Sequence, residues 1–160
     1  MSMLQAPLHV ALLALGVSAA TPAPPAPAAA PVVSAIVEQC VPAASQAERS
    51  VTFSGQMTAI AGAQRMAMRI DVQERTPTEA EFHTVLAPGL GVWRLSDPGV
   101  KIYKYLKQVT NVAAPAAFRA IVRYRWLDDR GRVLRRTERR TPVCRQPVDI
   151  PKAPARMPGT

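Results

Sequence analysis

The sequence predicts an all-β fold, an antiparallel sandwich or barrel of about seven strands. Three observations lead to this prediction. Apolar and polar side chains alternate with a period of two in several segments, turn-forming residues recur between those segments, and no segment has a convincing amphipathic helical pattern. The chain has 160 residues, 48% of them hydrophobic, which is typical of one globular domain with appendages.

The amino-terminal segment has the composition of an export signal. Residues 9–20 form a 12-residue apolar run, which is shorter than the roughly 20 residues of a membrane-spanning helix. The run ends in small residues that suit signal-peptide cleavage, although residues 1–8 contain no Lys or Arg. We expect residues 1–20 to be a signal peptide and the protein to be extracellular or in the cell envelope. The alternative is an apolar leader without an export function.

Both ends of the chain are rich in proline. Residues 21–31 read TPAPPAPAAAP, which favours an extended polyproline II spacer of some 30 Å at about 3.1 Å per residue. An unselected low-complexity tail is the alternative. We expect a linker over residues 21–35, the folded domain over 36–148 and a disordered tail over 149–160.

The two cysteines lie near the two ends of the predicted domain. Cys40 and Cys144 are the only cysteines in the chain, and in an oxidising compartment two cysteines pair by default. We therefore predict a disulfide; two separate buried thiols or a metal site are the alternatives. A structural zinc ion takes four Cys or His ligands, and His83 is the only histidine outside the leader. No metal and no cofactor are expected.

Two segments show the alternation of a half-buried strand most clearly. In residues 118–126 the predicted inward row is Phe118, Ala120, Val122, Tyr124 and Trp126. In residues 65–73 it is Met66, Met68, Ile70 and Val72. Such alternation places one row of side chains on a core and the other in water.

Weaker patterns complete the set of strands. We expect strands over residues 51–60, 82–86 and 100–109, a short strand near Cys40 and a last strand over residues 132–143. The turn signals between these segments are Gly62, Pro77, residues 88–91, residues 97–99 and residues 129–131.

The carboxyl-terminal part of the domain carries a family resemblance. Residues 118–144, FRAIVRYRWLDDRGRVLRRTERRTPVC, resemble the closing hairpin of an immunoglobulin-like or fibronectin type III-like domain. The wider arrangement is similar to secreted Ig-like modules of actinobacteria, including the CARDB-type adhesion-related domains. Trp126 follows Cys40 by 86 residues, and Pro142 stands where a tyrosine corner has its Tyr, so antibody-type membership is not expected. The resemblance implies an extracellular binding or structural module without catalytic activity.

Most of the positive charge lies in this same hairpin. Residues 119–145 hold ten Arg and three acidic residues, which is +7 of the net charge of +9. If residues 128–131 form a four-residue loop, Arg123 opposes Arg136 and Arg119 opposes Arg140. Like charges directly opposed destabilise a β-ladder, so the guanidinium groups either spread into water or bind an anion between them.

The same register makes two further predictions. A bulge in the last strand is needed to turn Cys144 inward. Arg135 is expected to stack on the ring of Tyr124 as a cation–π pair.

These charges suggest an anion-binding face. Its candidate residues are Arg119, Arg123, Arg125, Arg136 and Arg140. Guanidinium groups bind phosphate bidentately, so wall polymers, lipopolysaccharide and extracellular DNA are possible ligands, and another surface protein is a further possible partner. The alternative is a basic edge strand whose charges block aggregation. Specific nucleic-acid binding is not expected, because no platform of exposed aromatic residues accompanies the arginines, and no small-molecule substrate is expected.

The sequence offers little for catalysis. A hydrolase site would need His83 together with residues from the set Ser50, Ser54, Ser96, Asp71 and Asp97, none of which stands in a nucleophile-elbow motif. Glu79 and Glu81 form a carboxylate pair, but in a segment typical of a turn. We therefore expect a secreted or cell-surface, non-catalytic binding or structural module. An electrostatic adhesin for anionic polymers and a small secreted hydrolase are the alternatives.

Overall fold

A computed structural model describes residues 32–148, so the predicted leader, most of the predicted linker and the predicted tail lie outside the described residues. The described part is a β-sandwich of two antiparallel sheets, which confirms the predicted fold class. None of its helices is long and apolar enough to cross a membrane.

Nine strands and one short 3-10 turn make up the domain. Sheet A has the order β1-β2-β6 and consists of β1 (Val33–Val41), β2 (Ser50–Thr58) and β6 (Ile102–Thr110). The main path of sheet B, in spatial order, consists of β4 (His83–Thr84), β3 (Arg65–Arg75), β7 (Ala116–Leu127) and β8 (Val133–Arg140). Two short strands also join sheet B: β5 (Arg94–Leu95) on β3 and β9 (Cys144–Gln146) on β7. The 3-10 turn Gln46–Glu48 connects β1 to β2.

The strand order is that of an immunoglobulin-type sandwich. In the constant-type fold strands A, B, E and D share one sheet while C, F and G share the other; within residues 32–148, sheet A has no counterpart of D. Here β1, β2 and β6 take the places of A, B and E, and β3, β7 and β8 take those of C, F and G.

Several strand boundaries differ from the predicted ones. β1 begins at Val33, so residues 33–35 of the predicted linker belong to sheet A. The strand predicted over residues 82–86 shortens to the two residues of β4, and the unpredicted β5 pairs with β3 beyond it. The strand predicted over residues 132–143 ends at Arg140 as β8, and the unpredicted strand β9 follows it at Cys144. These are the segments where apolar alternation is weak or where proline and alanine conceal it.

The core forms where the inward rows of β3 and β7 meet sheet A. Both rows are buried as predicted. The inward residues of β2 that pack against them include Val51, Phe53 and Met57. This packing leaves the opposite side of sheet B, with the odd-numbered residues of β7, facing outward.

The register of the β7–β8 hairpin differs from the predicted one. Arg123 opposes Glu138, Arg125 opposes Arg136, and Arg140 opposes Ile121. The predicted Arg123–Arg136 and Arg119–Arg140 pairs are therefore wrong.

The physical reason is the turn. The amide of Asp128 donates to the carbonyl of Arg132 over 3.0 Å, which leaves a three-residue loop with Gly131 at φ +76°. A bulge in the β7–β8 ladder, between Leu127 and Trp126, shifts the pairing by one more residue. In the resulting register Arg135 lies over the ring of Trp126, at 5.7 Å from its centroid. The predicted stacking of Arg135 on Tyr124 is therefore also wrong.

The predicted disulfide is confirmed, and Cys144 points inward as expected, through an interruption of the strand rather than a bulge within it. Residues 141–143 interrupt the last strand, and the hydroxyl of Thr141 accepts a hydrogen bond from the amide of Ala120 over 2.9 Å. Cys144 then opposes Phe118 and is buried. Its sulfur is bonded to that of Cys40, which joins β1 of sheet A to β9 of sheet B.

Candidate anion-binding face

The outer surface of sheet B carries a field of arginines. Directly opposed residues of an antiparallel pair point to the same side of the sheet, so the outward odd-numbered row of β7 identifies its neighbours on β3 and β8. All five predicted residues lie on this surface. We call it the arginine face and define it by Arg69, Arg75, Arg119, Arg123, Arg125, Arg136 and Arg140.

Carboxylates neutralise the centre of the arginine face. Asp71 is only 4% exposed; its Oδ1 accepts from Nε of Arg69 over 2.8 Å and its Oδ2 from Nη1 of Arg123. The Nε of Arg123 also lies 3.3 Å from the carboxylate of Glu138. Two cations thus meet two anions here. Arg123, one of the predicted anion ligands, is engaged by carboxylates of the protein itself.

One end of the face is uncompensated and contains an aromatic ring. We call Trp93, Arg125 and Arg136 the Trp93 cluster. The guanidinium carbon of Arg125 lies 4.0 Å from the centroid of the Trp93 ring, and Arg136 opposes Arg125 on β8. Within residues 32–148, no carboxylate lies within 4.0 Å of either guanidinium group. The cluster borders a surface cavity of about 340 Å³, which the paired residues Arg123 and Glu138 also line.

The other end repeats this arrangement with a different ring. We call Phe82, Arg75, Arg119 and Arg140 the Phe82 cluster. The ring centroid of Phe82 lies 3.9 Å from the guanidinium carbon of Arg119 and 4.9 Å from that of Arg75. The Nε of Arg119 donates to Oε1 of Gln73 over 2.8 Å, which orients the group.

Positive charge is crowded in the Phe82 cluster. Partial burial lowers the pKa of Arg119, and the nearby charges of Arg140 and Arg75 lower it further, against the opposing effect of Glu81. None of the three arginines forms an ion pair with another described residue. An anion placed among them would therefore relieve repulsion that Glu81 offsets only in part.

Sequence reasoning missed the two aromatic residues of this face. Both lie between β3 and β6. Phe82 begins the segment predicted as a strand over residues 82–86, and Trp93 lies among turn signals. The chain between β3 and β6 runs along the edge of β3 and is held there by backbone hydrogen bonds. The amide of Val85 donates to the carbonyl of Val72 over 2.9 Å, and the amide of Gly91 donates to the carbonyl of Ile70 over 3.2 Å. Aromatic rings do accompany the arginines, but both are only partly exposed and lie against guanidinium groups, so they are not a platform of exposed aromatic residues. The signal was present as two aromatic residues in a segment rich in glycine and proline.

The residues considered for catalysis do not come together. His83 is half exposed, and its ring nitrogens lie 3.3 Å from Glu79 and 3.8 Å from Glu74. Ser50 and Ser54 lie on β2 in the other sheet.

The remaining candidates serve structural contacts. The hydroxyl of Ser96 accepts from the amide of Met66 over 3.0 Å and donates to the carbonyl of Asp97, whereas Asp71 is held by arginines. The carboxylate of Glu79 accepts from the amide and hydroxyl of Thr76, contacts that lower its pKa and close the predicted turn. Residues 32–148 contain no group of three His, Cys, Asp or Glu residues placed to hold a metal ion.

Comparisons with models of protein families, with curated proteins and with solved structures find no match.

Proposed function

We propose that this chain is an exported immunoglobulin-like module that binds an anionic polymer of the cell envelope through the arginine face, without catalysis. The observation that carries the proposal is the distribution of carboxylates. Asp71 and Glu138 are both drawn to the centre of the face. The Trp93 and Phe82 clusters at its two ends keep their positive charge available to a ligand.

Export is supported by two independent features. The apolar leader has the length of a signal-peptide core, and the Cys40–Cys144 disulfide is of a kind that persists in oxidising compartments. Membership of the CARDB-type modules stays a prediction; an adhesion-related role would fit the same surface.

A purely structural module is the second candidate function. It is favoured by Arg135 and Arg139, which belong to the edge strand β8 but oppose the inward residues Trp126 and Val122. Inward-pointing charges on an edge strand prevent edge-to-edge pairing of sheets. In this second candidate function the arginines of β8 keep the protein soluble by preventing self-association and bind no ligand.

A heparin column separates the two candidate functions. We expect Arg136→Glu/Arg140→Glu to elute at clearly lower salt than the wild type, because log affinity for a polyanion falls with each cation lost. The matched control is Lys101→Glu/Arg130→Glu, which changes the net charge equally at two exposed positions outside the clusters. Equal losses of retention in both variants, or none in either, would contradict the proposal.

A further inference from the structure

Building on the proposed function, we propose that the Trp93 and Phe82 clusters form one bipartite site for a linear polymer of phosphate groups that lies along β7. One phosphate would be bound in each cluster. The neutralised centre between them would be crossed by the polymer without a strong contact.

The spacing of the clusters supports a polymer over a single anion. Arg119 and Arg125 lie six positions apart on β7, which corresponds to about 20 Å at roughly 3.3 Å per residue. No small anion spans that distance. Between the two lies Arg123 with its carboxylates, where two cations and two anions give no net charge, so a polyanion passing there meets no net repulsion.

The chemistry of the clusters favours phosphate. Guanidinium groups donate paired N–H groups in a planar fork that matches phosphate oxygens. The rings of Trp93 and Phe82 lie against the guanidinium groups of Arg125 and Arg119, a contact that uses none of their N–H groups. The Nε–H of Arg119 is engaged by Gln73, which leaves its terminal N–H groups to donate. Each ring thus already stacks on a guanidinium group. This occupation favours a phosphate chain without bases, such as a polyol-phosphate wall polymer or polyphosphate, over a nucleic acid, whose bases need free rings.

Bipartite binding predicts a dependence on ligand length. A chain that reaches both clusters makes its second contact at a high effective concentration, whereas a short chain occupies one cluster at a time. Long-chain polyphosphate should therefore bind the full chain at least about tenfold more tightly than tripolyphosphate does, at equal phosphate concentration.

The test is titration calorimetry of cluster variants with these two probes. The Trp93 cluster is weakened by Arg125→Gln/Arg136→Gln and the Phe82 cluster by Arg119→Gln/Arg140→Gln. Lys101→Gln/Arg130→Gln is the control. Either cluster variant should lose about tenfold or more in affinity for long-chain polyphosphate, while its affinity for tripolyphosphate falls only about twofold because the other cluster remains. Since Arg119 is partly buried, Arg140→Gln alone provides a second, exposed variant of that cluster.

The outcomes distinguish this inference from the proposed function. If long and short chains bind equally and the two clusters contribute independently, the bipartite site is wrong while anion binding stands. If neither probe binds and heparin retention is also unaffected by the variants, the proposed function fails as well. Equal competition by single-stranded DNA would assign the face to nucleic acid and overturn the inference. Tighter binding of poly(glycerol phosphate) than of polyphosphate would support the wall-polymer form, and the reverse would support the polyphosphate form.

Discussion

Two aromatic residues of β7 connect the sheets through their polar ends. The hydroxyl of Tyr124 donates to the carbonyl of Ser34 over 2.6 Å, and the indole nitrogen of Trp126 donates to the carbonyl of Thr58 over 2.8 Å. Both side chains are fully buried, and burial raises the pKa of the Tyr124 hydroxyl, so it stays a donor. Each ring thus fills the core while its polar atom fixes the position of the opposite sheet.

The close approach of the sheets depends on Gly55 in β2. A Cβ atom there would lie 2.5 Å from Sδ of Met68 and 2.7 Å from Cγ1 of Val122. We expect Gly55→Ala to lower the free energy of unfolding by about 1–3 kcal/mol, because the neighbouring side chains must leave their packed positions. Urea denaturation checks this expectation, with Gln56→Ala at the next, exposed position as the control. A loss of stability no greater in Gly55→Ala than in the control would contradict it.

Asp128 shows how one residue sets the register of a hairpin. Its Oδ1 accepts from the amides of Arg130 and Arg132 over 2.9 and 2.8 Å, and its Oδ2 from Nε of Arg132 over 2.7 Å. Burial acts to raise the pKa of this carboxyl, but the bonds from Arg132 and Arg130 outweigh burial and lower it. The loop is therefore one residue shorter than the predicted four-residue loop, because Asp128 pairs with Arg132 instead of belonging to the loop.

At the scale of the strand, the inward row of side chains can be predicted from the sequence only where one face of the strand is apolar and the other is polar. β7 carries apolar residues at every even position from 116 to 126, so its inward row could be identified from the sequence. β8 carries polar or charged residues on both faces over positions 135–140. Its register is set by the turn and the bulge, which alternation does not reveal. The five candidate arginines were placed on one surface correctly, but their pairing partners were not.

The register also places the arginines of β8 on two different sides of the strand. Arg136 and Arg140 belong to the arginine face, whereas Arg135 and Arg139 lie on the opposite side of the strand. We therefore propose that the two interpretations that the sequence left open, an anion-binding surface and edge protection, apply to different residues of one strand.

This division can be tested by paired substitutions. We expect Arg135→Val/Arg139→Val to self-associate, because an apolar edge strand offers unpaired backbone groups to a second copy. Light scattering after size-exclusion chromatography measures this, and retention on heparin should fall less than for Arg136→Val/Arg140→Val. A monomeric Arg135→Val/Arg139→Val variant with heparin retention as low as its counterpart's would contradict the division.

At the scale of the whole domain, the arginine clusters and the disulfide lie in different parts of the sandwich. The outer side of sheet A holds a compensated pair, since Nζ of Lys104 lies 2.6 Å from Oε1 of Glu38. Lys104 and then Ser54 lower the pKa of Glu38. The Trp93 and Phe82 clusters, whose arginines form no ion pair with a described residue, lie on sheet B. The disulfide, by contrast, joins the outer strands β1 and β9 and contributes no group to either arginine cluster.

Removal of the disulfide should therefore lower the stability of the domain without lowering its affinity for a polyanion. The bond closes a loop with a sequence separation of 104, and chain-entropy arguments give a stabilisation of up to about 4.7 kcal/mol for a loop of roughly 100 residues. We expect Cys40→Ala/Cys144→Ala to lower the free energy of unfolding by about 2–4 kcal/mol, measured by urea denaturation, and reduction of the wild type to have a similar effect. Below its unfolding temperature the variant should keep wild-type retention on heparin, because β3, β7 and β8 hold the arginine face through their own ladder. A loss of heparin retention in a variant that is still folded would show that the two margins of the sandwich also position the arginine clusters.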